Sequence, residues 1–288
     1  MKVLSLFDGI SCGMVALERA GIQVDKYVAY EIDENAIKIS QKNYPQIEHC
    51  GDVTTADFAQ YKDFDLLIGG SPCQDLCRMG SRKGLKGKKS GLFWEYVRAL
   101  RESKPKWFLL ENNASMTQSD KETITEVLGV QPFLINSADF SAQNRKRLYW
   151  TNIPIMMWAQ NNLTLGDIVQ PAKEKAEFDV TDRVEKYLSP AYAGRKVSKT
   201  IHNGIKSLNK KANTIGCYCG VLGSNTNLIL YQDERYYIAT PVEVERLQTL
   251  PDNYTDGVGK SARYCASGNG WTVDVIAHIL RSIPKEDR

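Results

Sequence analysis

The side chains with the most chemical reach in this sequence are a thiol, a carboxylate and two guanidinium groups. Cys73 sits in Gly70-Ser71-Pro72-Cys73-Gln74, directly after the apolar run Phe64–Ile68. A lone cysteine is most often a packed hydrophobe. This one follows a proline that stiffens the chain and opens a segment, Leu76 to Trp94, with Arg78, Arg82, Lys83, Lys86, Lys88 and Lys89 and no acid. Positive surroundings favour thiolate, the form that attacks carbon. Glu111-Asn112 ends another apolar run, Trp107–Leu110, and is placed to face the thiol as a proton donor or acceptor. Gln143-Asn144-Arg145-Lys146-Arg147 sets two arginines two apart, on one face of the chain if it is extended. Pairs of this kind usually make surface contacts.

A second group of residues suits a cofactor. Phe7-Asp8-Gly9-Ile10-Ser11-Cys12-Gly13 joins a predicted strand to a predicted helix. Glycines let backbone approach a ligand, and a helix N-terminus favours an anionic group. The turn is not G-x-G-x-x-G, so a dinucleotide pyrophosphate is disfavoured. Glu31 ends the next strand, where an acid accepts hydrogen bonds from ribose hydroxyls. Asp52 ends the third strand, placed to accept from an adenine amino group. A ribose- and adenine-bearing cofactor fits better than a phosphate-rich one.

The elements that must hold these groups alternate. Strands are expected at Lys2–Phe7, Val24–Tyr30, near His49–Asp52, at Phe64–Ile68 and at Trp107–Leu110. Helices are expected at Met14–Ala20, Asn35–Asn43 and Phe93–Arg101. Alternation of this kind predicts an α/β fold, a doubly wound and mostly parallel sheet. Ligands of such sheets sit at the carboxyl ends of the strands, where residues 8–13, 31, 52, 72–73 and 111 all fall. After about Leu165 the alternation fades. The expected organisation is a catalytic and cofactor-binding domain over 1–175, a smaller loop- or β-rich module over 176–261, and a returning C-terminal segment over 262–288 with a final helix at Asp274–Ser282.

Of 288 residues, 42% are apolar and 25% charged, which excludes wholesale disorder. No apolar run reaches a membrane span, and the N-terminus lacks a signal-peptide pattern, so a cytoplasmic protein is expected. Seven cysteines with no C-x-x-C pair argue for reduced thiols and no metal site. Net charge is only +3, but it is uneven. Besides the six basic residues of 76–94, Lys186 to Gln232 holds Lys186, Arg195, Lys196, Lys199, Lys206, Lys210 and Lys211 with no acid. Two acid-free basic stretches in an otherwise acidic chain are the footprint of a phosphate-backbone partner.

Six motifs occur in order: Phe7–Gly13, Gly70–Gln74, Glu111-Asn112, Gln143-x-Arg145-x-Arg147, Arg246-Leu247-Gln248 and Gly268-Asn269-Gly270-Trp271. With this set the chain strongly resembles the cytosine-5 DNA methyltransferases, over nearly its whole length. Its opening and its Gly-Asn-Gly-Trp-Thr-Val ending are similar to the eukaryotic de novo branch, and its compactness to prokaryotic or phage members.

The resemblance implies a Rossmann-like methyltransferase fold with a target-recognition domain. It implies S-adenosyl-L-methionine as cofactor, S-adenosyl-L-homocysteine as product, and no metal. Phe7, Gly9, Ser11 and Gly13 would line the first turn. Glu31 would hold the ribose, Ile32 would pack on adenine, and Asp52 with Val53 would read it. Pro72, Leu92, Asn269 and Trp271 would complete the site. The Cys73 thiolate would add to carbon 6 of a cytosine flipped from the duplex. Glu111 would handle a proton at ring nitrogen 3, Arg147 would hold the 2-carbonyl oxygen, and Arg145 would help fix the loop. Gln74, Cys77, Arg78, Arg82, Lys83, Lys86, Thr214 and Arg246 would serve DNA contact, Arg246 by bracing the recognition module. The implied partner is double-stranded DNA in a bacterial or phage-infected cell; a cognate restriction endonuclease is compatible, and no oligomeric state follows.

Two departures stand out. Cys77 occupies a position where the family usually has serine or threonine, and a thiol is a poor hydrogen-bond donor. Asn113 stands where valine is common. Two other readings remain: a tRNA cytosine-5 methyltransferase on the same scaffold, and a catalytically silent DNA-binding regulator. The tRNA branch carries Cys-Phe-Thr and Pro-Pro-Cys, which this chain lacks. Silent relatives tend to lose the nucleophile or the cofactor turn, which it keeps.

Overall fold

A computed structural model describes residues 1–72, 84–87, 89–158 and 160–288. In chain order the elements are β1 (Lys2–Leu6), α1 (Cys12–Ala20), β2 (Lys26–Tyr30), α2 (Glu34–Asn43), β3 (Glu48–His49), β4 (Leu66–Gly69), α3 (Phe93–Ser103), β5 (Trp107–Asn113), α4 (Gln118–Leu128), β6 (Phe133–Asn136) and β7 (Lys146–Thr151). There follow α5 (Thr181–Leu188), α6 (Lys196–Gly204), β8 (Ile205–Ser207), β9 (Ile229–Gln232), β10 (Arg235–Ile238), α7 (Pro241–Leu247), α8 (Lys260–Asn269) and α9 (Val273–Leu280). Among the described residues no helix is long and apolar enough to cross a membrane.

The chain divides into two compact units. The first comprises Met1–Asn136, Lys146–Met157 and Val273–Arg288; the second comprises Ser137–Arg145 and Trp158–Thr272. These limits lie elsewhere than the 175/176 and 261/262 limits expected from composition. Composition cannot register the nine-residue excursion Ser137–Arg145 between two paired strands, β6 and β7.

The first unit is built on a seven-stranded sheet of order β3-β2-β1-β4-β5-β7-β6, in which only β7 runs against its neighbours. The central strands are covered on both faces and are nearly continuous apolar runs; β4 is buried at all four positions. The helices between them carry their own stop and start signals. Gly21, left-handed at φ 71°, closes α1 by donating to Glu18 while Ile22 donates to Leu17. Asp33 caps α2 by accepting from the Ala36 amide. The chain leaves β1 toward β2 and β3, then returns to β4 on the other side of β1. The strand order therefore reverses between β1 and β4, which makes the loops after these two strands the expected ligand crevice.

Pairing register puts four strand ends that carry candidate residues in one row. Leu6 pairs with Tyr30 and Gly69, and Gly69 pairs with Leu110. Phe7, Glu31, Gly70 and Glu111 are the next residues on four adjacent strands. At ~4.8 Å per strand, Glu31 and Glu111 stand about 14 Å apart along this edge.

The second unit holds the three-stranded sheet β10-β9-β8. Within 176–261 it also holds α5, α6 and α7, which composition did not signal. α6 shows why: of its nine residues only Ile201 and Gly204 are buried. Gly204 is needed because a Cβ there would fall 1.5 Å from the Asn227 amide nitrogen. α7 is signposted by a capping box, Thr240 with Glu243, and by Pro241 in its first turn. Glu243 also meets Lys175 at 2.8 Å with both side chains fully buried.

Candidate active site

The turn after β1 is built around a carboxylate. Three of its residues are left-handed, Phe7 and Ser11 at φ 58° and Gly9 at φ 60°. Two of these are not glycine and carry a conformational cost of about 1 kcal/mol or more each. Asp8 fixes them: its carboxylate accepts from the hydroxyls of Ser5 (2.6 Å), Tyr27 (2.7 Å) and Ser11. Burial pushes the Asp8 carboxyl up, against those three hydrogen bonds. Ser11, expected at the cofactor face, is buried with its hydroxyl turned inward to Asp8 and to Ser40 at 2.6 Å. It supports the turn from behind. A Cβ on Gly9 would meet no atom within 4 Å, so this residue faces open space. Gly13 lies buried in the first turn of α1.

Glu31 joins this turn to its neighbour. Its Oε2 accepts from the Gly9 amide at 2.8 Å, and its Oε1 accepts from the amides of Ile32 and Asp33. A carboxylate offers about four acceptor positions, so three backbone donors orient it and leave capacity for a further donor. Ile32 beside it is 70% exposed, an uncovered apolar side chain next to a fixed acid. Asp52 caps the turn Val53–Thr55; its Oδ1 accepts from the Thr54 amide (2.8 Å) and hydroxyl (2.9 Å), which lowers its carboxyl below the usual range. Val53 is buried in the core. Arg98 holds this turn from α3, donating to the carbonyls of Val53 (3.1 Å) and Ala56 (2.8 Å). An oriented acid, an uncovered aliphatic face and a second acid fit the ribose, ring face and amino edge of an adenosyl group.

Cys73, Gln74, Cys77, Arg78, Arg82 and Lys83 lie outside the described residues, as does the side chain of Lys86. The residues leading to the thiol are described. Asn112, fully buried on β5, donates to the Ser71 carbonyl (3.1 Å) and hydroxyl (3.0 Å), and Ser90 donates to the Pro72 carbonyl at 3.0 Å. Leu92 packs half-buried against the core. On β5 next to Asn112, Glu111 meets Arg147 of β7, Oε1 to Nε 2.9 Å, with both side chains 12% exposed. They are diagonal neighbours across the antiparallel pair, Glu111 opposite Tyr149 and Arg147 opposite Asn113. The Asn113 side chain accepts from the Ser115 amide at 2.8 Å.

Arg145 precedes β7, the strand that carries Arg147. It belongs to the second unit, 4% exposed, and donates to the carbonyls of Ile215 (3.2 Å), Gly268 (3.1 Å) and Gly270 (2.9 Å). Gln143 and Gln248 are buried beside it and hydrogen-bond to each other. Gln143 donates to the Leu247 carbonyl, and Gln248 donates to those of Ser267 and Gly270. Three of the six motifs thus meet in one buried polar network. Gly268 is required there, because a Cβ would lie 2.4 Å from the carbonyl carbon of Gly216. Asn269 is exposed and Trp271 half-buried, both in the second unit. Thr214 is exposed and donates to the Asn144 carbonyl at 2.7 Å. Arg246 has all three nitrogens engaged, two by Asp252 (2.8 and 2.6 Å) and one by the Ile168 carbonyl (2.9 Å).

Sequence reasoning missed the positioning residues Asp8, Arg98, Asn112 and Ser90. Asp8 and Asn112 stand inside the motifs; Ser90 lies in the basic stretch 76–94 and Arg98 in the expected helix Phe93–Arg101, with no local signal that sets either residue apart.

The model of the C-5 cytosine-specific DNA methylase family matches residues 1–154 and 154–285. The orphan methyltransferase M.SPRI of Bacillus phage SPR is 33% identical over 197 residues, covering 62% of this chain and 45% of its own, so the chain spans about half that relative's length. The type II methyltransferase M.NlaX of Neisseria lactamica is 28% identical over 301 residues, 98% of this chain and 96% of its own. The crystal structure of the S. pombe Dnmt2 methyltransferase shares the fold at TM-score 0.78 and 18% identity, covering 98% and 97% of the two chains. With the family match running across the chain, the protein belongs to the C-5 cytosine-specific DNA methylases.

Proposed function

We propose that this protein is a DNA (cytosine-5-)-methyltransferase that works on a cytosine flipped out of double-stranded DNA, through a covalent bond to Cys73. The observation that carries the proposal is the shielded Glu111–Arg147 pair at the carboxyl edge of the sheet. It stands beside Asn112, which fixes the Ser71-Pro72 approach to Cys73.

Carbon 5 of cytosine is a weak nucleophile. Attack of the Cys73 thiolate on carbon 6 moves charge onto nitrogen 3 and the 2-carbonyl oxygen. Glu111, released from Arg147 and having taken up a proton from solvent, supplies the proton at nitrogen 3, and Arg147 stabilises the oxygen. The two side chains meet at 2.9 Å; an incoming base edge would take Glu111 at one position and Arg147 at the next. S-adenosylmethionine, when bound, supplies the electrophilic methyl group that carbon 5 takes up. Glu31, Ile32, Asp52 and the Phe7–Gly13 turn would hold its adenosine. A base then removes the carbon 5 proton, and Cys73 leaves by elimination.

On the second unit, Lys196, Lys199 and Asn203 lie exposed on one face of α6, at positions i, i+3 and i+7. Lys206 and Thr214 border the same small polar cleft as Asn203. This surface suits phosphate oxygens and supports DNA as the partner. Lys211, counted among the basic residues, is committed instead to four oxygens, of Ala138, Ser141, Asn161 and Leu163.

The test is expression beside a plasmid, followed by nucleoside mass spectrometry of plasmid DNA and of tRNA, for wild type and Cys73→Ser. We expect 5-methylcytosine in plasmid from wild type alone. Methylation confined to tRNA would establish the tRNA reading, and no methylation of either would remove the enzyme reading.

A further inference from the structure

Three cysteines of the second unit have no part in the chemistry above. Cys217 lies in a turn that passes against α8, so close that a Cβ on Gly268 would fall 2.7 Å from the Cys217 amide nitrogen. The single Cys217 S–H has two acceptors within reach, Asn269 Oδ1 at 3.3 Å and the Cys265 carbonyl at 3.7 Å. Asn269 Nδ2 in turn donates to the Cys265 sulfur at 3.6 Å. One side-chain amide therefore touches both sulfurs. The neighbouring Cys265 thiol holds the Cys217 thiol below its usual pKa, against the effect of burial. Both residues are half-buried, within reach of a small oxidant, and neither is in a disulfide. Cys219, two residues on, is buried, and that burial pushes its thiol up to about 12, which leaves it inert.

We propose that Cys217 and Cys265 are a redox modification site: they close to a reversible disulfide that withdraws both sulfurs from the Asn269 amide. The oxidant is hydrogen peroxide. The Cys217 thiolate attacks one peroxide oxygen, the O–O bond breaks, and the departing hydroxide takes a proton to become water. The Cys265 sulfur then attacks the resulting sulfenic acid; the S–O bond breaks, a second water leaves and the S–S bond forms. The two sulfurs lose two electrons and the peroxide gains them. A dithiol reductant reverses the change. The consequence for ligand binding rests on the reading of Asn269 as a cofactor residue.

The test treats the full-length protein with hydrogen peroxide, blocks remaining thiols with N-ethylmaleimide, and maps peptides before and after dithiothreitol. We expect a Cys217–Cys265 linked peptide that dithiothreitol removes and that is absent from Cys217→Ser and Cys265→Ser. A link from either cysteine to Cys73 instead, over-oxidation with no link, or full alkylation would each overturn the site. Calorimetric binding of S-adenosylhomocysteine to reduced and oxidised protein carrying Cys73→Ser reads the consequence. We expect about fivefold weaker binding on oxidation, the size of one lost hydrogen bond, restored by reductant and unchanged in Cys217→Ser. Equal affinity in both states overturns the coupling to Asn269. If even reduced protein fails to bind, the cofactor reading falls, while the linked peptide still decides the disulfide.

Discussion

Replacing Arg145 separates a catalytic arginine from one that holds the fold. Its guanidinium reaches three carbonyls, and one of them, on Gly270, also accepts from Gln248 Nε2 at 3.0 Å. Arg145→Met keeps the apolar stem but removes every donor. The carbonyls of Ile215 and Gly268 lose a charged partner at a site only 4% exposed. Hydrogen bonds to a charged group contribute roughly 1.5–3 kcal/mol each, and a buried polar group left unpaired costs about 1–3 kcal/mol. These overlap for the same two acceptors, so the expected loss is about 3–5 kcal/mol. Arg145→Lys keeps the charge but lacks the planar fork that serves three acceptors at once, and about 2–3 kcal/mol should be lost. At roughly 2–4 °C per kcal/mol, Arg145→Met should lower Tm by about 6–20 °C. Urea unfolding gives the free energies, and amide exchange should rise first around Ile215–Gly220. If Arg145→Met unfolds within about 1 kcal/mol of wild type yet loses turnover, the guanidinium acts on the reaction and the clamp reasoning is wrong.

Three further outcomes follow from the same geometry. Glu111→Gln and Arg147→Met should each lower the single-turnover rate by about 10²–10⁴-fold with native-like unfolding curves, as for a lost proton donor or oxyanion partner; retention of more than a tenth of the rate would count against their roles. Lys196→Glu with Lys199→Glu should weaken duplex binding and flatten the slope of log affinity against log salt by about 2, measured by fluorescence anisotropy; an unchanged slope would place DNA elsewhere. The Asp252 carboxyl is held below its usual range by Arg246, so the pair's stability is fully present above the unfolded carboxylate pKa and is lost as pH falls through the lowered folded value. Asp252→Asn should therefore cost under about 1 kcal/mol at neutral pH, given the pair's exposure, and nothing at the acid end; a cost that grows on acidification would reverse the sign of the argument.

The parallel sheet was legible because buried central strands are apolar runs and the residues ending them are not. β1, β2 and β4 come within two residues of their expected starts, and the row of candidate residues Phe7–Glu31–Gly70–Glu111 follows from strand ends alone. Other features depend on partners far away in sequence. Ser11 points inward because Asp8 and Ser40 meet it there, and Ser40 is on another helix. α6 has too few apolar residues to show a helical period; Gly204 stacked on the Asn227 amide cannot be seen from local sequence. The two arginines of Gln143-x-Arg145-x-Arg147 would share a face only in an extended strand, and β7 starts at Lys146, between them.

Arginine and glutamine in a short motif suggest ligand recognition, since both are polar and reach far. Yet the carbonyls that Arg145 and Gln248 serve lie where α8 ends and where the chain turns at Ile215, positions with no helical partner of their own. A buried helix end needs donors, and two long side chains supply them. The fold itself therefore gives a motif residue of this kind a reason to be there. Glu111 and Arg147 differ in one respect: each faces an opposite charge, the other's, at 2.9 Å, and Arg147 also donates to the Lys146 carbonyl. On the proposed reading a ligand opens this shielded pair at the carboxyl edge of the sheet, whereas the Arg145 network has only carbonyls and a neighbouring amide to serve.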